Sequence, residues 1–427
     1  MPKNKILIPF VVMYVVVFGV LVTTSPAFAA SEKVLYSFCS AGNCTDGASP
    51  AAGLAFDKVG NLYGTTYNGG VDYAYEGCCG TVFKLTPKNG TWTERVLHTF
   101  SQDGNGNYPE STLIWDASGN LYGTTYFSGP IVSPGPGVVF ELKHGATGWT
   151  EHLLNSGVGN PAAGLIRDKR GNLYGTTQTG GATESGEVFE LIYSNGGWTR
   201  KVLYTFCPTA HCSDGDWPEA GLIFDAAGNV YGTTYYGGAY GYGTVFELIH
   251  GNGTWTEKVL HSFNLDGKDG VNPFSRLIFD AAGNLYGTTQ QGGTGAGPYC
   301  LQGCGVVFEL SPSPKGTWSR KILHNFNENA GDGADPDAGL IFDKAGSLYG
   351  TTGHGGAYGY GTVFKLVSNN GKWTEVILHS FGGAPDGALP LGDLILDQAG
   401  NLYGTTAAGG ANSSCGLGCG TVFEITP

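Results

Sequence analysis

The chain has 427 residues, of which 73 are Gly, 12% are aromatic and only 13% are charged, and its net charge is -13. It lacks any long apolar run with a 3.6-residue period, which argues against helices and for short strands joined by many turns. A phosphate backbone would be repelled by this acidic balance, so nucleic acid and anionic membrane surfaces are poor partners.

In chain order, Lys3 and Lys5, the apolar run 6–22 and Ala27-Phe28-Ala29 have the three parts of a secretory signal peptide. Residues 1–29 are therefore expected to be cleaved, leaving a secreted, extracellular or periplasmic chain 30–427 with no membrane insertion. An uncleaved membrane anchor is the rival reading, since the run nears the roughly 18-residue spanning minimum. All ten cysteines lie in the exported part. Their close spacing predicts local disulfides Cys39–Cys44, Cys207–Cys212, Cys300–Cys304 and Cys415–Cys419. Cys78 and Cys79 form a vicinal bridge or cross-pair with Cys39 and Cys44. Zinc lacks the CxxC spacing and the histidine partners it would need.

From Asn61 onward one stretch, NLYGTT with small variations, recurs seven times, its Gly falling at 64, 123, 175, 232, 287, 350 and 404. Periods of this size mean a repeat architecture. The fourth unit shows four strand-like segments, 220–225 (AGLIFD), 229–234 (NVYGTT), 243–249 (GTVFELI) and 254–263 (TWTEKVLHSF), each bounded by turn residues. Seven such units predict an all-β fold, a seven-bladed β-propeller of four-stranded antiparallel blades. The blades are expected near 50–100, 111–155, 163–206, 220–263, 275–326, 338–381 and 392–425. The chain opens with a spare fourth strand, 33–38 (KVLYSF), and closes on a third strand, 420–425 (GTVFEI). The N-terminal strand should therefore complete the last blade and close the ring as a single domain. An open stack would want polar capping repeats. The turn between the first two strands never varies in length, whereas the connections from second to third strand and from fourth to the next first strand do. In an up-and-down blade those two emerge on one face, which is where a site belongs.

The unit from Pro218 to Phe263 resembles the GloVer-repeat, or choice-of-anchor tandem repeat, family of exported bacterial proteins, and the resemblance runs from Lys33 to Pro427. The first two strands are similar in pattern to NHL-type propeller repeats. The resemblance implies a secreted or surface-held protein and passes on no catalytic residue. Some relatives carry a C-terminal sorting anchor, and none is expected here.

On the variable face the ligand-binding candidates are Tyr126, Trp217, Tyr235, Tyr236, Tyr240, Tyr242, Tyr358 and Tyr360, because aromatic faces edged with hydroxyls and interleaved with Gly suit stacking on sugar rings. Tyr73 and Tyr75 read into the same kind of loop. His354 and His211 lie in variable loops without counterparts. His98, His261, His324 and His379 share one repeat position with Tyr36 and Tyr204 and read as structural. Asp103, Asn105 and Asn107, and Asp266 with Asp269, resemble oxygen-rich calcium loops but lack the bidentate Glu of an EF-hand. Calcium is thus the one cofactor worth testing, and no other is implied. No nucleophile-elbow, zinc-protease or phosphate-loop pattern occurs. The sialidase Asp-box lacks its Asp. The expected function is that of a monomeric binding scaffold for extracellular glycan or a cell-surface protein. The alternatives are a polysaccharide-active hydrolase or lyase built on a carboxylate pair, and a purely structural, adhesive envelope protein.

Overall fold

Each YGTT stretch forms the second strand of a four-stranded antiparallel sheet, and seven such sheets surround one axis as a seven-bladed propeller. The computed structural model describes residues 30–70, 79–129, 135–146, 148–157, 159–209 and 211–427. The expected signal peptide, Tyr73, Tyr75 and Cys78 lie outside them. In the fourth blade the strands are Ile223–Phe224, Val230–Thr234, Thr244–Gly251 and Thr254–Ser262, in that order from the axis outward. The innermost strand is shorter than the sequence predicts. Its leading residues leave the ladder to face the axis, where the carbonyl of Ala220 accepts a hydrogen bond from Thr176 Oγ1 of the preceding blade at 3.0 Å.

The motif is legible residue by residue. Except in the sixth blade, the Tyr ring packs edge-on against an aromatic of the next blade, as Tyr231 does on Phe279 at 5.1 Å. The first Thr, Thr351 of the sixth blade excepted, reaches forward to the next blade's inner strand, and the second ties its own loop, as in Thr234 Oγ1 to Tyr236 O at 2.9 Å. The Gly leaves room for a neighbouring ring: a Cβ on Gly232 would stand 2.7 Å from Phe246 Cζ and 3.0 Å from Leu222 Cδ2. Gly232→Ala should therefore destabilise the protein by about 1–3 kcal/mol, the usual cost of overpacking, read as a shift in the urea midpoint. An unshifted midpoint would mean that the blade can slacken. Upstream, the uniform turn is held by its Asp: Asp225 Oδ1 accepts the backbone N–H of Ala227 and Asn229, while Gly228 takes a positive φ of 90°.

Apolar contacts run through the seams between blades. A Phe ending one blade's fourth strand meets the third-strand Phe of the next, for example Phe206 with Phe246 at 5.0 Å and Phe263 with Phe308 at 5.3 Å, in T-shaped contact. The second unit has no such Phe, and at its seam the Arg200 guanidinium lies over Phe189, 5.6 Å from the ring centre.

The ring closes as expected. Strand Ser31–Ser37 pairs antiparallel with Thr421–Thr426 and completes the seventh blade, which rules out the open stack. Disulfides join Cys39 to Cys44, Cys207 to Cys212, Cys300 to Cys304 and Cys415 to Cys419. The first and last of these lie side by side at the closure. Cys79 is buried, and its expected pairing with Cys78 lies outside the described residues.

Candidate functional site

The two variable connections do share a face, and they are sewn together there. Gly270–Val271 pairs with Gln291–Gly292, Gly333–Ala334 with His354–Gly355, and Gly387–Ala388 with Ala408–Gly409. Single bridges do the same at Ala48 with Asn68, Asn107 with Phe127, and Asp216 with Tyr236.

A Pro precedes every inner strand, and the residue after it points toward the axis. Reading round the ring, that slot holds Ala51, Glu110, Ala162, Glu219, Phe274, Asp337 and Leu391. All seven line an axial cavity of about 260 Å³ walled by every blade. Three carboxylates thus meet one small space from the second, fourth and sixth blades. Burial pushes Glu110 up to about 7, with Glu219 adding to the effect. Burial likewise raises Glu219 to about 7 against a hydrogen bond from Gln178, and raises Asp337 to about 7 with help from Asp335.

The residue following YGTT forms a second ring, and it feeds the first through two matching relays. Tyr126 donates its hydroxyl to Gln178 Oε1, and Gln178 Nε2 donates to Glu219 Oε1. Two blades further on, Tyr235 donates to Gln290 Oε1 at 2.6 Å and Gln290 Nε2 donates to Asp337 Oδ1 at 3.0 Å. Burial raises both tyrosine hydroxyls above their usual range, so they remain donors. Each relay orients a carboxyl from outside. Among the described residues Glu110 has no relay. Arg276 is the cation in the lining, and it is paired with Asp393 at 3.4 Å.

The expected aromatics divide into three groups. Tyr126 and Tyr235 serve the axial relays. Trp217, Tyr236, Tyr240 and Tyr358 stand on the rim, with Tyr240 60% and Tyr358 66% exposed, and Trp217 meets Tyr236 edge-on at 5.4 Å. Tyr242 and Tyr360 turn inward and pack against the blade cores. His354 pairs through Nδ1 with Asp335 at 3.2 Å and stacks on Tyr299 at 4.4 Å, close to the axial acids. His211 is an exposed loop residue.

The acidic loops prove to be held by the protein itself. Asp269 is engaged by His261 at 2.9 Å, by Arg320 and by the backbone N–H of Gly270. Asp266 Oδ1 accepts from Lys268 N and Asp269 N, Asp103 accepts twice from Asn105, and Asn107 donates to Gly129 O. The same clamp recurs from His324 to Asp332 and from His379 to Asp386, and Tyr36 and Tyr204 make it to Asp46 and Asp214. This is why His and Tyr interchange at that position: each presents a donor to the Asp-Gly turn.

Glu110, Glu219, Asp337, Gln178 and Gln290 are the site residues that sequence reasoning missed. The signal was present in the slot after Pro, where three acids interrupt Ala, Phe and Leu.

A family model described as a Gloeobacter/Verrucomicrobia repeat matches residues 17–150, 132–316 and 299–427. No curated protein matches the chain. Among solved structures, a provisionally assigned 6-phosphogluconolactonase from Bacteroides uniformis is 14% identical, with 76% of this chain and 84% of that one covered and a TM-score of 0.48. A gluconolactonase from Xanthomonas campestris is 14% identical, covering 73% and 83%, with a TM-score of 0.41. A protein of unknown function from Dyadobacter fermentans is 10% identical, covering 93% and 98%, with a TM-score of 0.46. What these proteins act on is a property of theirs.

Proposed function

Since the chain belongs to the Gloeobacter/Verrucomicrobia repeat family, we propose that it is a secreted binding scaffold that grips the end of a glycan at the axial mouth of its long-loop face. The observation that carries this is the pair of Tyr–Gln–carboxyl relays converging on one cavity. Carboxyls held near neutral both donate and accept, which matches sugar hydroxyls, and the exposed aromatics of the rim offer further stacking faces. The cavity is smaller than the roughly 300–1,000 Å³ of drug-sized sites, so it suits a single ring better than a chain lying across the face. Its disulfides fit an extracellular or periplasmic setting.

Isothermal titration of chain 30–427 without reductant, against sugars selected on a glycan array, tests the reading. The double variant Glu219→Gln with Asp337→Asn should weaken binding at least about tenfold, the equivalent of 1.4 kcal/mol. Silence across the array, or unchanged affinity in the variant, would count against it. A second reading, a polysaccharide-active hydrolase, is favoured by those same carboxyls, because a general acid works best with a pKa near the working pH. Release of reducing ends that stops in Glu110→Gln, with binding retained, would establish it.

A further inference from the structure

Beyond the axis, the blade seams carry a second set of acids. On five of the seven outer strands a Glu, two after the Trp in four of them, faces the Asp-Gly turn of the preceding blade. Glu94 faces Asp46, Glu151 faces Asp103 and Glu257 faces Asp214. Glu375 and Glu32 face Asp332 and Asp386 in the same way. In all five glutamates Oε1 is buried without a hydrogen-bond partner. Two seams differ: at the second-to-third Arg200 replaces Glu and pairs with Glu187, and at the fourth-to-fifth Arg320 replaces Glu and its guanidinium sits on Asp269 beside His261. Where the protein supplies its own cation the arrangement is satisfied, and where it does not, two carboxylates meet with an oxygen left over.

At two seams the clamp residue is His and three donor atoms come together. His324 Nε2 lies 2.9 Å from Asp332 Oδ2 and 3.7 Å from Glu375 Oε2. His379 Nε2 lies 3.0 Å from Asp386 Oδ2, with Glu32 completing the trio. In each trio all donor atoms fall within 4.8 Å of one another. A tetrahedral ion with bonds of about 2.0–2.1 Å holds its ligand atoms about 3.3 Å apart, and 2.9 and 3.7 Å straddle that value.

We propose that His324, Asp332 and Glu375, and likewise His379, Asp386 and Glu32, each bind a first-row divalent ion of the zinc class, which takes the place of the proton that His Nε2 otherwise donates to the Asp and releases it to solvent. One imidazole with two carboxylates selects zinc or manganese over calcium, which prefers oxygen alone. The supporting shell is built. Asp332 accepts the N–H groups of Asn327 and Gly333, Asp386 those of Gly382 and Gly387, and each His ring rests edge-on against a Phe at 4.7 Å. Side chains that are 11–20% exposed at the first site leave a way in for the ion. Glu32 lies on the ring-closing strand, so the second ion would tie that strand to the sixth blade.

The test is zinc stoichiometry by isothermal titration and by metal analysis after dialysis, on tag-free chain 30–427, stripped with chelator and kept oxidised so that no thiol competes. Two equivalents are expected, falling to one in Glu375→Gln and in Glu32→Gln. Arg320→Glu, which recreates the trio beside His261 and Asp269, should raise the count to three. Zinc should also slow proteolytic release of the N-terminal strand, and Glu32→Gln should abolish that protection. No zinc retained, two equivalents persisting in the double Gln variant, or calcium bound in its place would overturn the proposal. If a Gln variant fails to fold, the count on the unaltered chain and the gain in Arg320→Glu still decide it.

Discussion

Phe38→Ala is expected to cost about 3–5 kcal/mol, the range for emptying a fully buried Phe site. Phe38 is wholly buried, meets Phe83 of the first blade edge-on at 5.0 Å and donates its backbone N–H to Gly420 O at 3.0 Å. It therefore touches the chain's last strand through the backbone and its first complete blade through the ring. Phe100 makes the equivalent contact with Phe140 at 5.2 Å, so Phe100→Ala should open a similar cavity and serves as the control. Only the Phe38 change also loosens the strand that closes the ring. Urea unfolding should show comparable losses for the two variants, while limited proteolysis should cut near residue 38 in Phe38→Ala alone. A loss below about 1 kcal/mol in Phe38→Ala would mean that closure does not depend on this seam.

The architecture was open to sequence reading because a propeller repeats the same solution. Seven copies of YGTT expose which positions are fixed by packing, and the unpaired strands at the two ends name their own partners. The site is the reverse case. Glu110, Glu219 and Asp337 each sit in a slot that other blades fill with Ala, Phe or Leu, and within one unit none of them looks unusual. They become a site only when closure brings the second, fourth and sixth blades to one cavity. The aromatic loops drew attention through composition, yet composition does not separate Tyr235, which feeds a relay, from Tyr242, which packs inward. The Asp-Gly turns hid their clamps for a different reason. The donor lies eight residues upstream in His261 and His324, ten in Tyr36 and Tyr204, and seven in His379, so no fixed spacing marks the pair.

Thermal stability should peak near pH 5 and fall toward pH 8. Burial raises Glu94, Glu110, Glu151, Glu219, Glu257 and Asp337 to about 7 in the folded chain. Unfolded, such groups titrate near 4. Between those values the folded state holds more protons than the unfolded one, so stability declines as pH rises through about 7; Glu32, raised to about 7 by burial, adds to this, and Glu375, raised to about 9 by burial beside Asp332, carries the decline further. The slope is at most about 1.4 kcal/mol per pH unit for each group, and less for Glu94, Glu151 and Glu257, which solvent partly screens. Two effects oppose it on the acid side. Burial lowers His98 to about 4, so the unfolded chain takes up its proton first as pH falls below about 6.5. Burial would raise Asp57, Asp116 and Asp280, but hydrogen bonds from their turns outweigh it and hold them below their ordinary value, and that stabilisation is lost as pH falls through their titration. Scanning calorimetry in EDTA across pH 4–8 should show the maximum, and a transition temperature rising from pH 5 to pH 8 would contradict it. The triple variant Glu110→Gln, Glu219→Gln, Asp337→Asn divides the effect. If the axial acids dominate, most of the decline disappears with them, whereas a decline that survives belongs to the seams.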